Sequence, residues 1–502
     1  MECLSRKTFF SLLSRNLISK SFIKSSFIYT VVGSLPLASS ILLLPFYGNS
    51  TLLSTSDFGA LAIYIILSEL ARVLFTFSAD NFLGINFIHH NTSRENIEKF
   101  IGTSALFLLL YGFGITLLFS FLGDFVFDFA YPGKNIHYLP FGLLSALTGL
   151  FNGIFKAYTT LMIYREKPTP FFWSNIFHFI LVLFISISGL YIFPQSLNGP
   201  IWGRFIAAFA TFAWALIYFY GESKFKFDKG ILRNLLNYSA PLYIYSILYW
   251  IVANIDRYFI LGILSEKEVA IFDFAIKMTL VIEFLQNGLS SAITPKVFKI
   301  WKNNGDEPKG NVDINKYFHV FALINIVSIP LFYISIPLIV PHIISNSDLY
   351  SSFNLLPILF AGMIARIWYY YLITPVFYFK RTNLLPIVFT FTAIFQVVCT
   401  YFLIKGIGIN GAVWASFFTK LIQVILLYLF VRRFYQFRVN YKKFILYPFV
   451  YILILIGYEI FFKQISVYYA NIAHIIILGI LGFIFFKNEI QPSQLLKIFS
   501  KD

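Results

Sequence analysis

Fourteen apolar stretches, each long enough to cross a lipid bilayer, follow one another along this chain of 502 residues. A helix needs about 20 residues to cross roughly 30 Å of hydrocarbon, where its backbone polar groups must be satisfied by its own hydrogen bonds. The predicted spans are 27–46, 58–83, 100–122, 139–162, 171–193, 199–220, 239–264, 269–293, 318–340, 353–377, 385–404, 409–430, 444–462 and 471–486. The sequence therefore predicts an all-α integral membrane protein with about 14 transmembrane helices.

The Lys and Arg residues predict how these spans are oriented. With the N-terminus in the cytoplasm, 28 of the 39 basic residues fall in cytoplasmic segments, 4 in outer loops and 7 within spans. Basic residues in short loops are strongly enriched on the cytoplasmic side of membranes. An even number of spans then places both termini in the cytoplasm. The net charge of +16 is spread over loops that face anionic lipid, so we expect membrane lipid and no nucleic acid as a partner.

The two halves of the chain carry matching motifs in the same order. The matched pairs are Ser34-Leu35-Pro36-Leu37 with Ser239-Ala240-Pro241-Leu242, Leu139-Pro140 with Leu356-Pro357, and Asn198-Gly199-Pro200-Ile201-Trp202 with Asn410-Gly411-Ala412-Val413-Trp414. These pairs fall on the first and seventh, fourth and tenth, and sixth and twelfth spans. Six spans per repeat is an even number, so we predict two six-helix lobes in parallel pseudo-two-fold repeat, with a site between them.

The repeat divides the chain into six predicted parts. They are a cytoplasmic or interfacial N-terminal segment (1–26), an N-lobe of helices 1–6 (27–220), an interfacial linker helix (221–238), a C-lobe of helices 7–12 (239–431), a C-terminal pair of helices 13–14 (444–486) and a cytoplasmic tail (487–502).

The sequence lacks the usual signatures of an enzyme. It has no GxxxxGK phosphate-binding motif and no Cys/His cluster with the spacing of metal ligands. Its loops are short, whereas an integral-membrane polysaccharide polymerase or glycosyltransferase, the alternative of another class, would be expected to carry sizeable outer loops with acidic or Arg-rich motifs. We therefore expect a transporter without catalytic residues, cofactor or metal.

Charged residues inside the spans carry the information about a site. Each costs about 2.5 to 3.5 kcal/mol to insert, so it is expected in a water-filled cavity or an ion pair. The candidate substrate-binding residues are Arg72, Arg257, Lys277, Arg366 and Lys420, and the candidate charge partners or ion-coupling residues are Glu69, Asp256 and Glu283. A cavity with a basic surplus suits an anionic ligand, because the guanidinium fork matches phosphate oxygens in pairs. Purely structural pairing, as between Glu69 and Arg72, is the alternative.

Several motifs resemble those of the polysaccharide flippases of the Wzx type, a family within the multidrug/oligosaccharidyl-lipid/polysaccharide exporter superfamily. The resemblance covers about residues 28–431 and is carried by Ser56-Asp57-Phe58-Gly59-Ala60-Leu61, Ser239-Ala240-Pro241-Leu242, Asp256-Arg257-Tyr258 with Gly262, Glu268-Val269-Ala270-Ile271-Phe272-Asp273 and Gly408-Ile409-Asn410-Gly411-Ala412.

This resemblance implies a flippase of the bacterial cytoplasmic membrane. Similar proteins move undecaprenyl-pyrophosphate-linked oligosaccharide units between leaflets by alternating access of two lobes, for O-antigen or another surface polysaccharide, and a polysaccharide polymerase and a chain-length regulator are implied partners. In relatives, spans one, two, seven and eight line the cavity. That arrangement would place Arg72, Arg257 and Lys277 around the headgroup, whereas Arg366 and Lys420 depend on the charge argument alone. A peptidoglycan lipid-precursor flippase and a drug/cation antiporter of the same superfamily are the alternatives.

Overall fold

The computed structural model describes residues 32–33, 35–90, 93–134, 136–304 and 312–461, together with six further positions between 472 and 483. The predicted segment 1–26, the tail 487–502 and most of the predicted fourteenth span lie outside the described residues. The structure is nearly all helical, and the described ranges contain no β-strand. The predicted fold class is therefore confirmed.

Sixteen α-helices are described in these ranges. They are α1 Leu35–Leu42, α2 Leu44–Tyr47, α3 Thr55–Thr76, α4 Ala79–Ile85, α5 Phe87–His90, α6 Arg94–Ala130, α7 Leu143–Tyr164, α8 Pro168–Ile192, α9 Asn198–Ser223, α10 Lys229–Ile263, α11 Glu266–Asn303, α12 Val312–Ile343, α13 Leu356–Tyr378, α14 Leu384–Ile407, α15 Ile409–Val431 and α16 Tyr447–Phe461. A π-helical turn precedes each of α7 and α16, and a 3₁₀ segment, Ser347–Leu355, leads into α13.

Eleven helical segments within the described residues are long and apolar enough to cross a membrane, and they correspond to the predicted spans two to seven and nine to thirteen. The predicted first span appears as the short helices α1 and α2. The predicted eighth span is α11, which has 38 residues and therefore ample length. Its apolar stretch is interrupted by Asp273, Lys277 and Glu283, so composition alone does not mark it as a span. The chain is a multi-pass membrane protein.

Two helices differ in their limits from the sequence prediction. The second span breaks at Phe77 and Ser78, whose φ angles of 50° and 54° are left-handed, and the chain continues as α4. The predicted linker helix is continuous with the seventh span in α10, which starts where Asp228 Oδ1 accepts a hydrogen bond from Ile231 N at 2.9 Å. This side-chain cap satisfies a backbone N–H at the start of the helix.

The same helix pairings occur in both halves of the chain. In the first half α3 packs on α7, α7 on α9 and α8 on α9; six spans later α11 packs on α13, α13 on α15 and α14 on α15. Recurrence of three pairings at matching positions describes two lobes built on one plan.

The glycines of the repeated Asn-Gly motif explain one of these pairings. A Cβ on Gly199 would lie 2.4 Å from the carbonyl carbon of Gly189 on α8, and a Cβ on Gly411 would lie 2.2 Å from that of Leu403 on α14. Only glycine permits so close a backbone approach at these positions. Both lobes therefore use a glycine at the start of their last helix to seat it against the preceding one.

Helices α3 and α11, the second and eighth spans, begin with the same type of cap. The backbone N–H of Asp57 donates to Ser54 Oγ at 3.0 Å, and that of Glu268 donates to Ser265 Oγ at 3.4 Å. In both cases the acidic side chain three residues on also contacts the serine hydroxyl. These reciprocal contacts resemble a capping box and fix where each helix starts.

The two lobes meet where α3 and α11 start. We call this end of the bundle, which carries the loops 48–54, 264–265 and 344–346, the outer end, after the predicted orientation. A Cβ on Gly59 would lie 1.8 Å from the carbonyl oxygen of Glu266, so the two helices cross in backbone contact. The rings of Phe58 and Phe274 pack edge to face with centroids 6.5 Å apart. Helix α10 also packs on the first lobe, through α3, α4 and α6.

Candidate functional site

A cavity of about 320 Å³ lies between the lobes, with α3 and α4 on one side and α10 on the other. The first-lobe wall carries Glu69, Arg72 and Asp80, and the second-lobe wall carries Tyr249 and Asn254. Charged groups thus face aromatic and amide groups across one space. A cavity between repeated lobes is where transporters of this architecture hold their substrate.

Arg72 is the predicted substrate-binding residue that lines this cavity directly. Its guanidinium forms an ion pair with Glu69, three residues earlier on α3, with Nη2 2.8 Å from Oε2. The two side chains are 34% and 46% exposed although both lie within a membrane span. Exposed charges at this depth require water rather than lipid. The pair therefore faces an aqueous cavity.

A second ion pair within the spans joins α11 and α13. Arg366 Nη1 lies 3.1 Å from Glu283 Oε1, and its Nη2 donates to the Tyr370 hydroxyl at 2.9 Å. Both charged side chains are partly exposed, at 18% and 28%. The Tyr370 hydroxyl in turn contacts Asn287, one turn along α11 from Glu283. Like the Arg72 pair, this group keeps access to water inside the bundle.

Arg257 and Lys277 occupy a different environment from Arg72. They share the carboxylate of Asp273: Arg257 Nε lies 2.9 Å from Oδ1, and Lys277 Nζ lies 2.6 Å from Oδ2. The three side chains are only 7%, 11% and 6% exposed, for Arg257, Lys277 and Asp273 respectively. The Lys277 ammonium also lies 4.6 Å from the centroid of the Phe58 ring, which belongs to the first lobe. This buried triad, with two cations and one anion, sits at the seam between the lobes.

Asp273 was not among the predicted site residues, although its spacing from Lys277 in the sequence predicts that the two side chains meet. Asp273 and Lys277 are four residues apart, and opposite charges at that spacing meet on one face of a helix. The sequence could not show that Arg257, from the preceding helix, would reach the other oxygen of the same carboxylate.

Asp256 is buried inside the second lobe, with only 3% of the residue exposed. Its Oδ1 accepts hydrogen bonds from Thr400 Oγ1, at 2.8 Å, and from the Gln396 amide, both on α14. Sequence reasoning missed Gln396 and Thr400, which stand four residues apart in an otherwise apolar span. This spacing is the signal that could have found them, since it places both on one helix face.

Lys420 lies on α15 and packs against α13. A Cβ on Gly362 would lie 3.0 Å from its Nζ, so the absence of a side chain at Gly362 leaves room for the ammonium. No carboxylate among the described residues lies within ion-pair distance of it. Lys420 therefore places an amine without a carboxylate partner in the interior of the second lobe.

The α10 wall of the cavity is aromatic. Tyr245 and Tyr249 pack against Phe389, with centroids 5.0 Å and 5.9 Å away, and Tyr249 remains 51% exposed. Trp250 lines the same wall and is 7% exposed, and its indole N–H has no hydrogen-bond partner among the described residues. This wall offers flat apolar faces beside polar edges, the combination found in specific small-molecule sites.

A small polar pocket of about 40 Å³ lies inside the first lobe beside the main cavity. Asn152, His178 and Arg204 line it, and Glu69 lines both this pocket and the central cavity. The Nε atom of Arg204 is buried and has no hydrogen-bond partner within the described part of the chain. Glu69 thus connects the interior of the first lobe with the space between the lobes.

The outer end of the cavity is sealed by polar contacts between the lobes. Thr55, at the start of α3, donates to Asp348 at 3.0 Å and accepts from the Asn346 amide at 2.9 Å. Within the second lobe, Lys267 at the start of α11 forms an ion pair with the same Asp348 at 2.9 Å. The contacts therefore join the two lobes at the outer end.

No group of three or more His, Cys, Asp or Glu side chains in the described ranges could hold a metal ion. The charge balance differs among the groups. The Asp273 triad holds two cations and one anion, Arg366 and Glu283 balance each other, and the cavity wall carries Arg72 beside Glu69 and Asp80.

Comparison with known proteins identifies the family. The model of a polysaccharide biosynthesis protein family matches residues 22–301, more than half of the chain. The chain belongs to this family. A search of curated protein sequences gave no match. The family assignment agrees with the resemblance drawn from the sequence motifs.

Several solved structures share this fold. The lipid II flippase MurJ in an inward closed conformation has a TM-score of 0.70 and 16% identity, covering 93% of this chain and 100% of that chain. An inward-facing multidrug resistance MATE transporter of the MOP superfamily has a TM-score of 0.58 and 13% identity, covering 83% and 98%. The eukaryotic MATE transporter AtDTX14 has a TM-score of 0.52 and 13% identity, covering 87% and 100%. Identities this low show a shared fold.

Proposed function

We propose that this protein is a flippase, without covalent chemistry, for undecaprenyl-pyrophosphate-linked oligosaccharide repeat units. It would carry them across the bacterial cytoplasmic membrane for O-antigen or another surface polysaccharide, with both of its termini in the cytoplasm. A pyrophosphate with attached sugars does not cross hydrocarbon unaided, because its charges and hydroxyls would lose hydration without replacement partners. The protein supplies those partners while the lipid tail stays in the bilayer.

The observation that carries this proposal is the cavity between the lobes, with the Arg72 and Glu69 pair on one wall and aromatic rings on the other. In this mechanism Arg72 exchanges its contact with Glu69 for the headgroup phosphates. Exchange of one charge-assisted partner for another avoids leaving a cation unpaired in the membrane. Arg366, which is paired with Glu283, and Lys420 are further contacts for the headgroup deeper in the second lobe.

The opposite wall would hold the sugars. The Tyr249 ring is exposed to the cavity, and the Asn254 amide lines the same wall. Sugars present both C–H faces that pack on aromatic rings and hydroxyls that need hydrogen-bond partners. A charged wall facing an aromatic wall therefore fits a ligand with a phosphate end and a glycan end.

Alternating access would follow from exchange of the contacts between the lobes. The seal made by Thr55, Asn346 and Asp348 closes the outer end and would break when the outer end opens. Asp256, Glu69 and Glu283 are the acidic groups available for ion coupling. A polysaccharide polymerase and a chain-length regulator would act on the product at the outer leaflet.

The test is the fate of lipid-linked intermediates in cells that lack the protein. We expect completed repeat units to accumulate on the cytoplasmic leaflet and the surface polymer to disappear, while peptidoglycan precursors stay normal. Accumulation of lipid II instead would make the protein a peptidoglycan precursor flippase, and drug sensitivity alone would make it an antiporter. Failure to assemble the unit, or display of single unpolymerised units, would indicate an enzyme.

A further inference from the structure

An apolar groove of about 300 Å³ lies on the second lobe, away from the cavity between the lobes. Its walls are the inner halves of α13 and α15 and the segment 437–445, which leads into α16. The lining includes Trp368, Leu372, Ile425, Tyr428 and Tyr441, none of which lines the central cavity. The groove is thus separate from the proposed substrate site.

The groove is held open by specific contacts. The Trp368 indole donates a hydrogen bond to the Phe444 carbonyl at 2.8 Å, which ties the segment before α16 to α13. The Tyr371 ring packs on the rings of Phe437 and Phe444, with centroids 5.8 Å and 4.8 Å away. The segment therefore crosses at a fixed distance from the two helices instead of filling the space between them.

The apolar lining of this groove suits a hydrocarbon chain as its occupant. An apolar cavity gives water no hydrogen-bond partners and stays dry, and a cavity of about 150 Å³ already holds benzene in another protein. Ile425, Tyr428 and Tyr441 are 55%, 46% and 67% exposed, so the groove opens toward the bilayer. An acyl chain can enter from the side.

Positive charge marks one end of the groove. The Arg432 guanidinium lies 6.0 Å from the centroid of the Tyr428 ring, and both Arg432 and Lys442 are exposed. Neither forms an ion pair with a carboxylate in the described part of the chain. In the predicted orientation this end lies at the cytoplasmic leaflet, which carries anionic lipid. The positive charge and the apolar walls together match one molecule that has an anionic headgroup and an acyl tail.

We propose that this groove binds an anionic phospholipid of the cytoplasmic leaflet. One acyl chain lies against Ile425, Tyr428 and Tyr441, and the phosphate contacts Arg432 and Lys442. An acyl chain has about the same free energy in the bilayer as in the apolar groove. The headgroup contacts therefore supply the selectivity for anionic lipid. The bound lipid fills the space between the second lobe and the segment that leads into α16.

Native mass spectrometry of the purified full-length protein tests this site. Dioleoyl-phosphatidylglycerol should bind more tightly than dioleoyl-phosphatidylcholine. The double variant Arg432→Gln, Lys442→Gln should lose about 25-fold in affinity for the anionic lipid, since each cation near anionic lipid contributes about five-fold. The control variant Lys229→Gln, Arg233→Gln removes two exposed cytoplasmic cations elsewhere and should retain the affinity.

A second variant tests the groove itself. Ile425→Trp places a larger side chain at an exposed groove position without changing charge, so it should displace the lipid and leave the folded protein intact. Equal binding of the two lipids, loss of binding in the control variant, or unchanged binding by Ile425→Trp would each overturn the proposal. Displacement of the phospholipid by a low concentration of undecaprenyl phosphate would also overturn it and assign the groove to the substrate tail.

Discussion

Replacing Asp273 by asparagine should destabilise the seam between the lobes. The loss of stability should be larger than that caused by removing either of its partners, Arg257 or Lys277. The Asp273 carboxylate holds Arg257 at 2.9 Å and Lys277 at 2.6 Å, and all three side chains are nearly inaccessible. The substitution keeps the shape of the side chain and removes its charge. It leaves two buried cations without an anion.

The magnitude follows from the burial of the triad. Leaving a buried charge uncompensated costs about 3 to 5 kcal/mol, so Asp273→Asn should destabilise the protein by at least that amount. Lys277→Met removes one of two cations and leaves the Arg257 and Asp273 pair neutral, so it should cost about 1 kcal/mol or less. In the Asp273→Asn background, Lys277→Met removes an unpaired cation and should therefore restore about 1 to 2 kcal/mol. Its effect should thus change sign between the two backgrounds, as expected for residues coupled in one network.

The assay is reversible unfolding in mixed detergent micelles with increasing dodecyl sulfate, followed by tryptophan fluorescence. Asp313→Asn is the matched control, because its pair with Lys316 is 68% exposed on both sides. Such an exposed pair contributes about 1 kcal/mol or less. If Lys277→Met is equally destabilising with and without Asp273→Asn, the three groups are not coupled and the reasoning fails.

Three further predictions concern the cavity, its seal and the topology. Tyr249→Ala should slow transport of a glycan-bearing substrate about three- to ten-fold, as expected for loss of one aromatic contact. Tyr249→Phe keeps the ring and should keep the transport rate. If Tyr249→Ala transports as fast as the unmodified protein, the ring has no role. Asp348→Ala should raise labelling of an Asn254→Cys variant by an impermeant thiol reagent about two- to five-fold from the outer side, because it removes the hydrogen bond from Thr55 between the lobes, worth about 1 kcal/mol. Unchanged labelling would mean that other contacts hold the outer end closed. Reporter fusions after Lys380 should read cytoplasmic and after Ser347 external, and the reverse would overturn the orientation.

The lobes could be predicted from the sequence because their signals are local. The repeated Asn-Gly motif marks two glycines, Gly199 and Gly411, and each permits the same close helix contact. Span lengths follow from apolar runs, and the Glu69 and Arg72 pair follows from helical spacing. These features need no knowledge of the tertiary structure.

The sequence could not predict which charged residues face the cavity and which are buried, because this depends on contacts between distant segments. Arg72, Arg257 and Lys277 looked equivalent as basic residues within spans, yet Arg72 faces the cavity and the other two are buried around Asp273. Asp256 finds its partners on α14, 140 and 144 residues away in sequence. Hydropathy also fails for α11, because Asp273, Lys277 and Glu283 lower its apolar character.

The most direct measurement of the central claim is translocation by the purified protein in liposomes. Undecaprenyl-pyrophosphate-linked oligosaccharide is placed in both leaflets, the outer pool is captured by a lectin, and the appearance of the inner pool outside is followed. The protein should expose the inner pool rapidly, and Arg72→Ala should slow this at least about ten-fold, the value of one charge-assisted contact. No translocation by the unmodified protein, or an Arg72→Ala variant as fast as it, would contradict the account.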